Sequence, residues 1–99
     1  MYKKIRVEQL LSLNNPTIID VREPYEFELG SIPGAINIPI ETLLDNYEKY
    51  LKLNKQYYLY CETSLRSSRA CEFLFDLGYD VYLIEVGYKR WLSLNNIIQ

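Results

Sequence analysis

Compact apolar runs alternate along this chain with segments whose apolar residues recur every three to four positions, and this narrows the fold more than any other feature. Thr17-Ile18-Ile19-Asp20-Val21, Tyr57-Tyr58-Leu59-Tyr60 and Asp80-Val81-Tyr82-Leu83-Ile84 are short, rich in β-branched or aromatic residues, and read as strands. Val7, Leu10 and Leu11 stand at helical spacing in a segment from Val7 to Leu13 that Asn14-Asn15-Pro16 ends. Pro24 to Gly30 has Pro just inside its start and Gly at its end, the asymmetry of a short helix. Ser31 to Pro39 is too rich in Gly and Pro for a helix and reads as a loop leading into a brief strand around Ala35 to Ile38. Glu41 to Leu53 returns to helical spacing, with Leu43, Leu44, Tyr47 and Leu51 on one side. Ala70, Phe73, Leu74 and Leu77 fall at i, i+3, i+4 and i+7 before Gly78, predicting a helix with that apolar face. A last helix runs through Trp91.

Strand and helix in strict alternation predict an α/β fold with a mainly parallel central sheet flanked by helices on both faces. In such sheets active residues collect at the carboxyl ends of the strands. Three predicted strands deliver Arg22-Glu23, Cys61 to Arg66, and Glu85 to Arg90 to that edge. The order of the strands is not legible at this level.

The middle of the three carries the chemistry. The strand ends at Cys61, four residues follow (Glu62, Thr63, Ser64, Leu65), and Arg66-Ser67 opens a helix. Backbone N–H groups of the turn, the positive end of the helix and the Arg66 guanidinium would all favour a thiolate at Cys61. Arg66 reads either as an anion-binding side chain beside Cys61 or as a surface residue at a helix start. Cys71 lies beside the apolar stripe of its helix and reads as packing. Arg69, Lys89 and Arg90 are weaker candidates for recruiting an anion. Asp20 and Arg22 flank a strand end, where a carboxylate can cap the loop and the arginine can pair with Glu26.

Composition removes most rival classes. A chain of 99 residues with 48% hydrophobic content can bury one core, so residues 1–99 read as one domain. Eleven basic against thirteen acidic residues leave a net charge of −2 without a basic stripe, which argues against nucleic acid as a partner. The ten tyrosines therefore read as core and rim residues rather than a stacking platform. The start Met1-Tyr2-Lys3-Lys4-Ile5-Arg6 is basic, but Glu8, Gln9 and Asn14 interrupt the apolar region that an export signal needs, and no membrane span is indicated. Two cysteines and no histidine exclude a disulfide framework, a Cys/His metal site and every His general base, and suit a reducing cytoplasm. If Cys61 is activated, its loop must do it.

These motifs together resemble a single-domain rhodanese, of the sulfurtransferase family. The resemblance rests on Ile19-Asp20-Val21-Arg22-Glu23-Pro24-Tyr25-Glu26-Phe27, on Gly30-Ser31-Ile32-Pro33-Gly34-Ala35-Ile36-Asn37-Ile38-Pro39, on Cys61-x4-Arg66-Ser67, and on Gly87-Tyr88 with Trp91. It implies a single rhodanese-like domain. It also implies that Cys61 takes sulfane sulfur from a donor such as thiosulfate or a persulfide, holds it as a persulfide, and yields it to cyanide or a thiol. The acceptor thiol can be that of a partner protein. The resemblance calls for no metal and no cofactor, places Glu62, Thr63, Ser64, Leu65, Arg66 and Ser67 around the substrate, and gives Asp20 and Arg22 to the scaffold.

The chain departs from the family's pattern in three places. Glu62 puts a carboxylate beside the nucleophile, where it would disfavour a thiolate and repel anionic donors. Ser64 stands where Gly is common, so the loop there is strained or differently shaped, unless Ser64 caps the helix. Ser31 replaces a frequent histidine. Two other readings stay open. A related cysteine phosphatase or arsenate reductase resembles Cys-x5-Arg, one residue longer than the loop here, and has a histidine where Tyr60 stands. A docking module would keep the fold without turnover.

Overall fold

The computed structural model describes residues 1–97. In chain order the elements are β1 (Lys3–Ile5), α1 (Val7–Leu10), β2 (Ile18–Asp20), α2 (Pro24–Leu29), β3 (Ile36–Asn37), α3 (Ile40–Asp45), α4 (Tyr47–Tyr50), β4 (Gln56–Tyr60), α5 (Leu65–Asp76), β5 (Asp80–Ile84) and α6 (Tyr88–Ile97). Among the described residues the strands form one sheet in the order β1-β5-β4-β2-β3, and every pairing is parallel. The predicted α/β architecture is the one observed.

Successive side chains of a strand point to opposite faces, so each buried strand feeds two cores at once. In β4, Tyr57 and Leu59 enter one cluster with Leu43, Leu51, Ala70, Leu74 and Val81. Tyr58 and Tyr60 enter the other with Val7, Leu10, Ile32 and Ile84. The helices α3, α4 and α5 cover the first face, and α1 and α6 the second. Two layers of apolar contact on a central β4 hold its carboxyl end, and hence Cys61, in a fixed place.

Three expectations are corrected, and one element, at the basic start, has no counterpart among them. The basic start Lys3–Ile5 is a strand pairing with β5, where Lys3 meets Tyr82 and Ile5 meets Ile84. It carries no apolar alternation because it is an exposed edge strand, and such edges favour charge. The segment from Glu41 to Leu53 is two short helices rather than one. Asn46 breaks it at φ −136° and ψ 32°, its Nδ2 donating to the Thr42 carbonyl. The helix expected from Val7 to Leu13 closes at Leu10. On α5 the buried face is Ser67, Ala70, Cys71 and Leu74, whereas Phe73 and Leu77 are exposed. The stripe is rotated toward the small residues because α5 packs close on the sheet directly behind the Cys61 turn. No helix among the described residues is long and apolar enough to cross a membrane.

Candidate active site

Cys61 is the first residue past β4, and its side chain belongs to the first apolar face, with the residue only 1% exposed. The sulfur is turned into the start of α5. Ser67 N donates to Sγ at 3.3 Å, and Ser67 Oγ also lies 3.3 Å from it. A backbone amide at a helix start and a hydroxyl that can donate suit a sulfur atom bearing negative charge. Ser67 itself is buried, so both groups meet the sulfur away from bulk water.

The rest of the turn is built around a strained backbone. Ser64 has φ +86°, in the left-handed region that the missing glycine would have filled without strain. It is the N-cap residue of α5, yet its side chain makes no capping bond, which corrects the capping alternative. Its hydroxyl instead accepts from Val86 N at 2.7 Å, tying the Cys61 turn to the turn after β5. Val86 is itself at φ +64°, an outlier for a β-branched residue. Replacing Val86 by glycine keeps its N–H and removes the strain. We expect Val86→Gly to stabilise the fold by about 0.5–1 kcal/mol after the entropy cost of glycine, read as a higher denaturation midpoint. A lower midpoint would show that the Val86 side chain, not the backbone, matters there.

The turn leading into α6 then closes on the loop. Tyr88 N donates to the Cys61 carbonyl at 3.0 Å, and Lys89 N to the Glu62 carbonyl at 3.2 Å. Gly87 makes this approach possible. At φ +73°, any Cβ on it would overlap the Cys61 carbonyl oxygen.

A buried ion network supports the other side. Arg22 is 2% exposed and gives Nε to both oxygens of Asp20 at 3.0 Å, and Nη2 to Asp20 at 2.7 Å and to the Gly30 carbonyl at 2.7 Å. Its guanidinium lies 4.2 Å from the centre of the Tyr88 ring. Asn37 donates to the carbonyls of Asp20 and Arg22, holding the end of β2. Asp20 and Arg22 are thus bonded to each other and, through Asn37 and the Gly30 carbonyl, to the neighbouring loops. The expected pairing of Arg22 with Glu26 is not formed.

Two site residues behave differently from expectation. The Glu62 carboxylate lies 3.4 Å from Arg22 Nη1, so a cation partners it rather than leaving it unopposed beside the sulfur. Arg66 does not stand free over Cys61. It makes a two-point pair with Glu26, Nη1 to Oε1 at 2.7 Å and Nη2 to Oε2 at 3.0 Å. Bonds from Arg66 draw the Glu26 carboxyl down to about 2, and Glu26 in turn raises Arg66. Thr63 and Leu65 are exposed, Leu65 at 81%. Among the weaker candidates, Arg69 pairs with Glu41, and Arg90 with Glu8. Cys71 is fully buried, and burial pushes its thiol up to about 12, so it stays a neutral packing group.

Sequence reasoning therefore missed Glu26 as the partner of Arg66, and named Tyr88 only within a motif, without its contacts to Arg22 and the Cys61 carbonyl. The available signal was positional. Glu26 lies in the first turn of the helix after β2, at the same sheet edge as Cys61. A carboxyl titrating near 2 in the fold and near 4.5 unfolded contributes stability that is complete above the unfolded value and lost as pH falls. We expect the wild-type midpoint to drop between about pH 5 and pH 2 more steeply than that of Glu26→Gln. Parallel curves would mean that the pair is not maintained in solution.

A family model described as rhodanese-like domain matches residues 5–94. The chain is 44% identical over 75 residues to YqhL of Bacillus subtilis, an alignment covering 75% of this chain and 59% of that one. It is 31% identical over 91 residues to a tRNA uridine(34) hydroxylase of Buchnera aphidicola, covering 86% of this chain and 29% of the hydroxylase. The chain thus spans less than two thirds of the length of these relatives. Among solved structures, a rhodanese-related protein of Thermoplasma volcanium superposes with a TM-score of 0.85 at 38% identity, covering 93% of this chain and 92% of that one. The human single-domain sulfurtransferase TSTD1 superposes with a TM-score of 0.82 at 25% identity, covering 94% and 97%.

Proposed function

This chain belongs to the rhodanese family, and from that premise we propose that it is a sulfurtransferase carrying sulfane sulfur as a persulfide on Cys61. The observation that carries the reading is the contact with Ser67, whose N donates to Sγ at 3.3 Å and whose Oγ, also within reach of the Ser64 carbonyl at 3.4 Å, lies 3.3 Å from the sulfur. These two groups suit an anionic sulfur both before and after it gains a second atom.

In the loading step the Cys61 thiolate attacks the outer sulfur of the donor. A new S–S bond forms, the donor's own S–S bond breaks, and its electron pair leaves with sulfite or with a thiolate. In the unloading step cyanide or an acceptor thiolate attacks the outer sulfur, and the Cys61 thiolate is the leaving group. Release of the original thiolate at every turnover means that the same Ser67 groups serve at both stages. Neither step calls for a metal, a cofactor or a histidine.

Loop length supports sulfur over phosphorus. Four residues separate Cys61 from Arg66, one fewer than in the phosphatase pattern, and Arg66 is occupied by Glu26. The same occupancy, with a thiol 1% exposed, favours a docking module as the second reading.

One mass measurement tests both. Purified protein is incubated with a sulfane donor, weighed for a single added sulfur, and weighed again after cyanide. Gain followed by loss of one sulfur is the expected result. No gain with any donor would leave the docking module, and a gain that cyanide cannot remove would make the protein a sulfur sink rather than a transferase.

A further inference from the structure

Arginine beside a thiolate ordinarily attracts anions, yet both arginines near Cys61 are already engaged by carboxylates. Arg66 is held at two points by Glu26, with 2.7 and 3.0 Å separations. Arg22 is buried, spends its guanidinium on Asp20 and the Gly30 carbonyl, and meets Glu62 at its remaining edge. A dianion approaching the loop must displace Glu26 from Arg66 while facing the charge of Glu62. At the mouth of the same loop stands Leu65, 81% exposed at the first position of α5. Its side chain offers an apolar contact to an organic group and no hydrogen-bond donor to an inorganic oxyanion.

We infer that Glu26 is a specificity-determining residue. By occupying Arg66 it turns the site away from dianionic donors such as thiosulfate and toward thiol persulfides, R–S–SH, whose organic part meets Leu65. The inference rests on the sulfur-transfer reading for its substrate class. With such a donor, the Cys61 thiolate attacks the outer sulfur of R–S–SH, Cys61–S–SH forms, and RS⁻ leaves. Charge and sulfur both balance, and no oxidant is needed. A small thiol and a peptide cysteine can each supply the persulfide. Glu26 acts through Arg66 and is a positioning residue.

Glu26→Gln tests this with little risk to the fold. Glu26 Oε1 accepts from Glu23 N at 2.9 Å to close the start of α2, and glutamine can make the same bond. Two ratios are read in wild type and variant. The first compares sulfur loading from thiosulfate with loading from the persulfide of a capped cysteine dipeptide. The second compares alkylation of Cys61 by anionic iodoacetate with that by neutral iodoacetamide, and it does not depend on sulfur transfer. Both ratios should rise about tenfold in Glu26→Gln, the size of one partly screened charge interaction. A merely loosened loop would speed both alkylating agents alike and leave their ratio unchanged, which would overturn the inference. A raised alkylation ratio with no sulfur loading from either donor would sink the transferase reading and leave Glu26 as an anion gate. A variant that loads both donors in the wild-type proportion would also overturn the assignment of specificity to Glu26. Glu26→Ala should shift both ratios in the same direction.

Discussion

Cys61→Ser is expected to abolish sulfur loading, leaving neither the added mass nor any product with cyanide, while the protein folds as before. A serine hydroxyl at neutral pH supplies no comparable nucleophile and cannot carry a persulfide. The fold should tolerate the change because Ser67 N and Oγ, now 3.3 Å from the sulfur, can bond the new oxygen. Cys71 provides the control. It is fully buried among the apolar residues of the first face, and burial holds its thiol near 12. Cys71→Ala should therefore keep most of the activity and cost about 1 kcal/mol of stability from the small cavity. Activity surviving in Cys61→Ser and vanishing in Cys71→Ala would defeat the site assignment.

Asp20→Ala is expected to cost about 3–5 kcal/mol, because it leaves the buried Arg22 charge without its main partner. For a chain of 99 residues that corresponds to a fall in the unfolding midpoint on the order of 15–30 °C. The loss comes from the orphaned charge, not from the worth of the pair itself. Removing both members, as in Asp20→Leu with Arg22→Met, should recover a large part of it. The double variant should nonetheless lose function, since Arg22 also fixes the Gly30 carbonyl, the Tyr88 ring and the Glu62 carboxylate around the loop. Chemical denaturation of the single variant, the double variant and the wild type decides this. A single-variant loss under about 1 kcal/mol would show that the network is more hydrated than its geometry suggests.

The strained turn explains why a departure from a motif need not abolish its geometry. Ser64 takes φ +86° although it has a Cβ, and the same side chain that makes this conformation costly bonds the Val86 N–H. Serine here exchanges conformational ease for a tie between two loops. Positive φ at Ser64 was legible from the position it fills, whereas the bond to Val86 was not, since 22 residues separate the partners.

Local sequence determined the parts of this protein that depend on near neighbours. Alternating runs specified parallel β/α units, because strands buried on both faces must be short and apolar, and their connecting helices must bury one stripe. The order of motifs placed Cys61 at a strand end and Arg66 at a helix start, since turn and cap chemistry act over only a few residues. Tertiary structure decided everything that a charge does. Arg66 could have met an anion or solvent, and Arg22 could have met Glu26. Only the fold brings Glu26 to Arg66 across 40 residues, and only burial commits Arg22 to Asp20. A long cationic side chain reaches several partners of similar energy, so its choice is set by which carboxylate the fold carries within reach and shields from water. The same holds for β1, whose three residues have no strand pattern of their own and become a strand because β5 offers an unpaired edge.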